Sequence, residues 1–401
     1  MSAYIIVALF LIALALLEAE YPRLRPACAA ASLVLVTSFA ALRYQTGYDW
    51  LVYEDFFNST VDLETALYRG IPPQDRPMEP LFYTLNMLIK SMGGSLTLMF
   101  AIVAIFNCYV IHAVAGRISD GLCMMWAFYF ALVFPIAQLS IIRQSLGASF
   151  VLLALLMTVR GAIVRAVLIL IAGMGFHASV ALYFPVLFLR RRRPTPYLVV
   201  LGGILGVSLV LADVRLINPA IDFGALLLPD WLADKLRFYH QIEPAHISAG
   251  AAALMLWHLG ALGILFGYCS DEEERCPYIT IGLWLTIWVL FGHIFMAGFP
   301  NLWNRIMCVS VPWQIAALWR LDRIRELHAT LKLSSVAALG LAGLAGLVYT
   351  LAKPESLPLV PYQSLVDLWL YGDPGSGRLR SELWLEEYYA TTSRKRWELS
   401  D

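Results

Sequence analysis

Two adjacent polar residues, Arg143 and Gln144, interrupt an apolar stretch that runs from 121 to 159. An ionisable group inside such a stretch is costly in a membrane and usually faces a water-filled cavity or a partner. A guanidinium matches the geometry of a phosphate, and each charge-assisted hydrogen bond contributes about 1.5–3 kcal/mol. We therefore expect Arg143 and Gln144 to bind a phosphate-bearing ligand. The alternative is an interfacial arginine that reaches lipid headgroups.

Two further basic groups lie in apolar sequence and fit the same chemistry. His177, in Gly-Phe-His-Ala-Ser, is suited to carry a proton or to donate to a phosphate oxygen. Arg305 begins a later apolar stretch and is a candidate second phosphate ligand. The alternatives are a hydrogen-bonded packing role for His177 and interfacial anchoring beside Trp303 for Arg305.

Asp49 and Glu79 are the carboxylates best placed to act as general acid or base. Transfer of a group from a phosphate to a hydroxyl needs one group to accept the hydroxyl proton and cations to stabilise the leaving phosphate. The alternative for either acid is a structural ion pair with Arg43 or Arg76. No Asp-x-Asp and no His/Cys cluster is visible, so the sequence predicts neither a metal site nor another cofactor.

Aromatic and amide side chains near these acids are candidate substrate-binding groups. Tyr48 and Tyr53 flank Asp49 closely enough to stack on sugar rings, although Tyr and Trp also populate every membrane interface. Glu79, Tyr83 and Asn86 recur at helical spacing and therefore share one helix face.

The composition identifies the class of protein that must position these residues. The chain has 401 residues, of which 60% are hydrophobic and only 14% charged, against roughly a quarter charged in ordinary soluble domains. Formal charge balances at zero, which argues against nucleic acid as a partner. Apolar runs near the ~20 residues needed to cross a bilayer recur along the chain. We therefore predict an all-α, polytopic integral membrane protein with a retained N-terminal span.

The apolar runs predict about 11–12 helices, some short or broken. The predicted spans are 3–19, 26–42, 95–116, 121–139, 140–159, 164–176, 177–189, 197–212, 248–268, 277–298, 302–319 and 333–352. The Lys/Arg bias of the short loops predicts external segments at 43–94 and 213–247 and an external tail at 353–401. The transmembrane domain is then 1–352.

The segment between Arg165 and Arg190 is basic at both ends, which a single crossing does not explain. Two short or broken helices that meet around Gly173–His177 satisfy the charge rule better. Irregular backbone at membrane depth is tolerated where it is buried in protein or lines a cavity. We therefore predict a hairpin with a break near His177.

Taken together, these motifs resemble the EpsG-like family of Wzy-type polysaccharide polymerases over about residues 1–350. The resemblance rests on Arg-Tyr-x-x-Gly-Tyr-Asp-Trp-x-x-Tyr at 43–53, on Met-Glu-Pro-Leu-Phe-Tyr-x-Leu-Asn at 78–86 and on Ile-Arg-Gln-Ser-Leu-Gly-Ala-Ser at 142–149. It also rests on the His-Ala-Ser block that begins at His177 and on Asn304-Arg305. Trp50 stands where that family more often has Tyr.

The resemblance implies a metal-independent membrane glycosyltransferase of the bacterial inner membrane, with a site that faces the periplasm. Its substrates would be oligosaccharide repeat units on undecaprenyl diphosphate, joined into exopolysaccharide, capsule or O-antigen, and a chain-length-regulating copolymerase would be a possible partner. Arg143 and Arg305 would hold the diphosphate, with Arg43 a third donor. Asp49 or Glu79 would activate the acceptor hydroxyl, and His177 would act near the phosphate.

Three other functions remain open at this level. An O-antigen ligase would pass the same donor to a lipid A core, and a non-catalytic flippase would move it across the membrane. A membrane O-acyltransferase would bring His177 to a cytoplasmic acyl-CoA. A flippase predicts cations at several depths, whereas the acids and arginines here concentrate toward the predicted outer ends of spans.

Overall fold

The computed structural model describes residues 1–71, 78–189, 192–211, 249–267, 269, 276–295, 300–321, 329–372 and 375–398. Within these ranges the protein is helical, and one isolated bridge between Arg43 and Ser364 is the only β-pairing. The α-helices, in chain order, are α1 Ser2–Glu20, α2 Arg25–Ala41, α3 Trp50–Ser59, α4 Leu63–Arg69, α5 Pro80–Ser91, α6 Leu96–Ile118, α7 Leu122–Leu132, α8 Phe134–Leu139, α9 Ile142–Val159, α10 Ile163–Met174, α11 Phe184–Leu187, α12 Pro196–Leu211, α13 Ala249–Gly267, α14 Pro277–Phe295, α15 Pro300–Arg320, α16 Ala329–Leu351, α17 Leu365–Tyr371 and α18 Gly377–Glu398.

Six of the described helices are long and apolar enough to cross a membrane: α1, α2, α6, α9, α14 and α16. Shorter apolar helices accompany them, among them α7, α10, α12 and α13. The predicted all-α, polytopic membrane fold is confirmed. The predicted external segment 213–247 lies outside the described residues.

The described chain divides into two compact units, and the first contains Met1–Phe188 and Val311–Trp384. In it α1 contacts α2, α7 and α16, α6 packs against α2 and α9, and α9 packs along α10. The second unit contains Leu189–Ser310 and the chain from Leu385. There α14 packs against α12 and α13, and the Trp284 indole donates a 2.6 Å hydrogen bond to the Arg192 carbonyl.

The stretch predicted as one span over 121–139 is two helices, so that prediction is wrong in this detail. The helix α7 ends at Leu132, Val133 leaves the helical conformation, and α8 begins with Pro135 in its first turn. Proline lacks a backbone N–H and its ring excludes the preceding turn, which favours a new helix start at this point. The break turns the chain so that Gln138 and Ser140 lie where α8 meets α9.

The predicted break near His177 is present. The helix α10 ends at Met174, His177 is extended (φ −159°), and a 3-10 helix over Ala178–Tyr183 leads into α11. Both later pieces contact α10, as a hairpin requires. Close packing explains the glycines here, because a Cβ on Gly147 would lie 2.8 Å from Cγ2 of Val180.

The C-terminal segment, residues 358–372 and 375–384, packs within the first unit against the N-terminal helices and the loop that follows α2. The Tyr4 hydroxyl donates to the Leu359 carbonyl at 2.9 Å. The Tyr362 ring stacks on Phe39 with centroids 4.0 Å apart, and its hydroxyl donates to the Phe39 carbonyl. The loop that carries the Arg43–Asp49 motif is therefore held between the helical core and the C-terminal segment.

Candidate active site

Arg143 lies in the first turn of α9 and forms an ion pair with Glu79. Its Nη1 donates to Oε2 of Glu79 at 2.6 Å, and the two side chains are 17% and 12% exposed. The guanidinium carbon also lies over the rings of Tyr53 and Phe82, 5.9 and 5.8 Å from their centroids. Arg143 is therefore a mostly buried cation with a carboxylate partner, and these contacts do not describe a side chain extended to lipid headgroups.

Glu79 joins three elements because it precedes α5 and reaches both α9 and the hairpin break. Its Oε1 accepts a 3.4 Å hydrogen bond from the backbone N–H of Ala178, at the start of the 3-10 helix. The next residue but one, Leu81, donates its N–H to the Gly175 carbonyl at 2.9 Å. The ion pair of Glu79 is thus with Arg143 rather than with Arg43, and Arg76 lies outside the described residues.

His177 is 7% exposed and caps the 3-10 helix that follows it. The backbone N–H of Ser179 donates to its Nδ1 at 3.2 Å, and the Ser179 hydroxyl lies 2.8 Å from the same nitrogen. Because Nδ1 accepts a backbone hydrogen bond, a neutral imidazole here carries its proton on Nε2. The packing role and the proton-carrying role are therefore compatible in one ring.

Several buried polar atoms on α5 and α9, the helices that carry this ion pair, have no partner. Among the described residues, Nε of Arg143, both amide atoms of Gln144, the Tyr83 hydroxyl and Oδ1 of Asn86 have no hydrogen-bond partner. Gln144 is 3% exposed and Asn86 0%, so bulk water does not satisfy them. Buried polar groups are almost always paired in folded proteins, and a cluster of exceptions needs an explanation. We call Arg143, Gln144, Glu79 and Tyr83 the donor cluster.

Asp49 lies immediately before α3 and is half-buried. It is close enough to Tyr53 and Arg143 to interact with both electrostatically. Burial, followed by the nearby Asp49 carboxylate, raises the pKa of Tyr53 to about 12, and the Tyr53 hydroxyl is hydrogen-bonded to Arg143. Sequence positions 49, 53, 79 and 143 are therefore brought into one neighbourhood.

Comparison with known protein families identifies the family of the chain. The sequence profile of the EpsG family matches residues 27–364, which include every motif described above. The chain belongs to the EpsG family. No curated protein and no solved structure matches it. Membership indicates a polysaccharide polymerase-type function, of glycosyltransferase-like character, in a multi-pass membrane protein.

In this EpsG-family protein Arg43 makes scaffold contacts. It is 2% exposed, donates through Nη1 to the Gln138 carbonyl, and lies 4.1 Å above the Phe100 ring. Burial lowers the pKa of Arg43 to about 10, so the group stays charged at neutral pH. These contacts tie the loop after α2 to α6 and α8. A role for Arg43 as a third diphosphate donor stays a prediction.

Two other predicted residues have different outcomes. Tyr48 lies in the same loop, and its backbone N–H donates to the Ser140 hydroxyl at 3.1 Å. Arg305 lies in α15, with its side chain outside the described part of the structure and its backbone in the second unit. Its pairing with Arg143 at one diphosphate therefore stays a prediction. The described residues contain no group of three His, Cys, Asp or Glu side chains that could hold a metal ion.

Sequence reasoning missed a buried set of hydrogen-bonded side chains, which we call the amide network. The Asn107 amide donates to Oε1 of Gln138 at 3.2 Å and to the Ser145 hydroxyl at 2.8 Å. The Gln138 amide donates to the Tyr129 hydroxyl at 2.9 Å, and the Ser149 hydroxyl donates to Oδ1 of Asn107 at 2.8 Å. The signal was Asn107, the single side-chain amide in a mostly apolar 23-residue helix.

Proposed function

We propose that this EpsG-family protein is a membrane glycosyltransferase that joins undecaprenyl-diphosphate-linked oligosaccharide repeat units into a cell-surface polysaccharide. The donor cluster is the observation that carries the proposal. It combines the buried Arg143–Glu79 ion pair, which interacts electrostatically with Asp49, with unpaired amide and phenol groups on α5 and α9. A ligand rich in acceptor oxygens, such as a diphosphate attached to sugars, would satisfy the unpaired donors.

Arg143 is assigned to the diphosphate leaving group. A guanidinium has five N–H donors; one nitrogen, Nη1, bonds Glu79, and Nε has no partner among the described residues. Hydrogen-bond donors preorganised in a buried site stabilise developing negative charge more strongly than they would in water. Arg143, joined in the proposal by Arg305, would therefore supply the positive charge that a metal ion supplies in other phosphate-leaving reactions.

The two carboxylates receive different roles. Glu79 already accepts hydrogen bonds from Arg143 and from the Ala178 backbone, so it is suited to hold the guanidinium in place before the donor binds. A buried cation without such a partner would be strongly destabilising. Asp49, half-buried and beside Tyr53, is assigned as the base that accepts the proton of the acceptor hydroxyl.

In the proposed reaction one glycosidic bond forms while one bond to the diphosphate breaks. The acceptor sugar hydroxyl of one repeat unit attacks the anomeric carbon of the donor chain, and a new glycosidic C–O bond forms. The bond from that carbon to the diphosphate oxygen breaks, and its electron pair leaves with undecaprenyl diphosphate. The acceptor proton goes to Asp49, while Arg143 and the Nε2–H of His177 stabilise the diphosphate oxygens.

The proposal places the protein in the bacterial inner membrane with the site facing the periplasm. The Lys/Arg bias of the short loops supports this orientation, because it leaves the loop that carries Asp49 on the outer side. The basic loops on the cytoplasmic side are the surface available to a chain-length-regulating copolymerase.

A reconstituted reaction tests the proposal. Purified protein in liposomes would receive lipid-diphosphate repeat units, and the products would be resolved by size, with lipid A core as an alternative acceptor in a parallel reaction. We expect a ladder of products that grows by one repeat unit at a time. Transfer to lipid A core alone would identify a ligase. Movement of the lipid across the bilayer without any new glycosidic bond would identify a flippase and overturn the proposal.

A further inference from the structure

The loop before α3 has no regular secondary structure, and the C-terminal segment supplies hydrogen-bond partners for its backbone. The Tyr44 N–H donates to the Gln363 carbonyl at 2.9 Å, and the Gly47 N–H donates to the Pro358 carbonyl at 3.0 Å. Gly47 also has φ +121°, and a Cβ there would overlap the Leu139 carbonyl. The loop conformation therefore depends on chain near the opposite end of the sequence.

The helix α18 contacts the residues on both sides of Asp49. On one side the Trp384 ring lies 5.1 Å from the Tyr48 ring, centroid to centroid. On the other side the Trp50 indole N–H donates to the Ser381 hydroxyl at 2.7 Å. Aromatic pairs and buried hydrogen bonds of this kind are directional, so they define the orientation of the backbone between them.

Other contacts hold the same helix in place. Arg378, in the first turn of α18, pairs with Glu54 of α3 and lies 5.5 Å from the Trp50 ring centroid. The Tyr48 hydroxyl is hydrogen-bonded to Ser356, just before the C-terminal segment. The family match ends at residue 364, so α18 lies outside the matched part of the chain.

We propose that α18 positions Asp49 through Trp384 and Ser381, so that the C-terminal segment completes the acceptor side of the site. The inference rests on the proposed function, in which Asp49 accepts the proton of the acceptor hydroxyl. Trp384 and Ser381 are positioning residues that act through Tyr48 and Trp50. Because the match ends before α18, this part of the acceptor side lies outside the matched part of the chain.

The rates of chain growth by the Trp384→Ala and Trp384→Phe variants test the contact between Trp384 and Tyr48. Misplacement of a reacting group by about 1 Å costs on the order of a hundredfold in rate, so Trp384→Ala should lower kcat by about tenfold to a hundredfold. The KM for the lipid-diphosphate donor should stay unchanged, because Arg143 and Gln144 bind the diphosphate. Trp384→Phe keeps an aromatic ring against Tyr48 and should recover most of the rate. The matched control is Trp369→Ala, an 82% exposed tryptophan on α17.

Ser381→Ala and Trp50→Phe test the second contact, and Ser381→Ala does so with little change of volume. Each removes the same indole–hydroxyl hydrogen bond, so the double variant should lose no more rate than the more impaired single variant. Additive losses would show that the two side chains do not act through one another.

Amide hydrogen exchange of residues 44–50 gives a readout that does not depend on activity. Trp384→Ala and Ser381→Ala should speed exchange in this loop while α6 and α9 keep their protection, and Trp369→Ala should not. Unchanged exchange and unchanged kcat in both variants would overturn the inference. Absence of chain growth by the unmodified protein, with exchange altered as expected, would overturn the proposed function and leave the structural coupling standing.

Discussion

Gln138 and Gln144 lie close together in the sequence and are equally buried, at 2% and 3% exposure, yet their amides have opposite surroundings. Gln138 donates to Tyr129 and accepts from Asn107, whereas neither amide atom of Gln144 has a partner among the described residues. An unsatisfied buried polar group costs about 1–3 kcal/mol. The amide network of Gln138 therefore serves the fold, whereas in the proposed function the donor cluster of Gln144 binds a ligand.

Arg43 and Arg143 also differ, in the partner that each guanidinium takes. Arg43 donates to a backbone carbonyl and stacks on Phe100, so its guanidinium holds two elements together. Arg143 pairs with the Glu79 carboxylate, and Nε of each arginine has no partner among the described residues. In the proposed function the same type of side chain is therefore a scaffold group in one region and a ligand-binding group in the other, and residue type alone does not distinguish them.

The largest expected effect separates the two acids of the site. Asp49→Asn should lower chain growth by about 10²–10⁴-fold, because an amide cannot act as a general base. Glu79→Gln keeps an oxygen that accepts from Arg143 and should retain part of the rate. Initial rates of product elongation measure both. A larger loss in Glu79→Gln than in Asp49→Asn would exchange the proposed roles.

Removal of the Arg143 cation tests the donor cluster directly. Arg143→Ala should lower the rate by about 10²–10³-fold, the usual loss for one donor to a developing negative charge. Arg143→Lys should also be impaired, because an ammonium lacks the planar fork of the guanidinium. Arg117→Ala, an exposed arginine near the end of α6, is the control. If Arg143→Ala accumulates normally in the membrane and still supports normal chain growth, Arg143 is an interfacial anchor and does not bind the diphosphate.

The two glutamines offer a matched pair of variants. Gln138→Leu removes the hydrogen bonds that Gln138 makes with the Asn107 amide and the Tyr129 hydroxyl, so it should lower the free energy of unfolding by about 1–3 kcal/mol. Gln144→Leu removes a group that has no partner and should leave the protein as stable as before or more stable, while chain growth falls. Thermal unfolding in detergent and the polymerisation assay measure the two properties. Equal destabilisation by both variants would contradict the distinction between the amide network and the donor cluster.

The smallest expected effect concerns the packing that places His177. A Cβ at Gly147 would lie 2.8 Å from Cγ2 of Val180 and 3.4 Å from Cβ of His177. Gly147→Ala should therefore destabilise by about 1–3 kcal/mol, as overpacked cores do. Gly346→Ala on α16 is the control, since nothing lies within 4 Å of its added Cβ. Equal melting temperatures for the two variants would contradict the close approach.

Parts of the site could be predicted because local pattern carries them. The break at Gly175–His177 follows from basic residues at both ends of a short apolar segment, and the structure contains it. The break at Val133 was missed although Pro135 marks it, because the apolar run continues without interruption on both sides. A hydropathy profile identifies segments that can lie in a membrane, but it does not detect a turn whose residues are all apolar.

The partners of the site residues could not be predicted in the same way. The sequence offered Arg43 and Arg76 as partners for Glu79, whereas the structure pairs it with Arg143. The contacts of Trp384 with Tyr48 and of Ser381 with Trp50 join opposite ends of the chain, and no local sequence pattern predicts them.

The sequence by itself determined the all-α membrane fold, the family and the residues from which the site is built. Each of these depends on the composition and spacing of residues near one another in the chain. Only the tertiary structure decided that Gln138 is paired while Gln144 is not, and that Glu79 pairs with Arg143 rather than with Arg43. The physical reason is that a polar side chain inside a membrane must find a partner in space, and that partner comes from whichever helix is packed beside it.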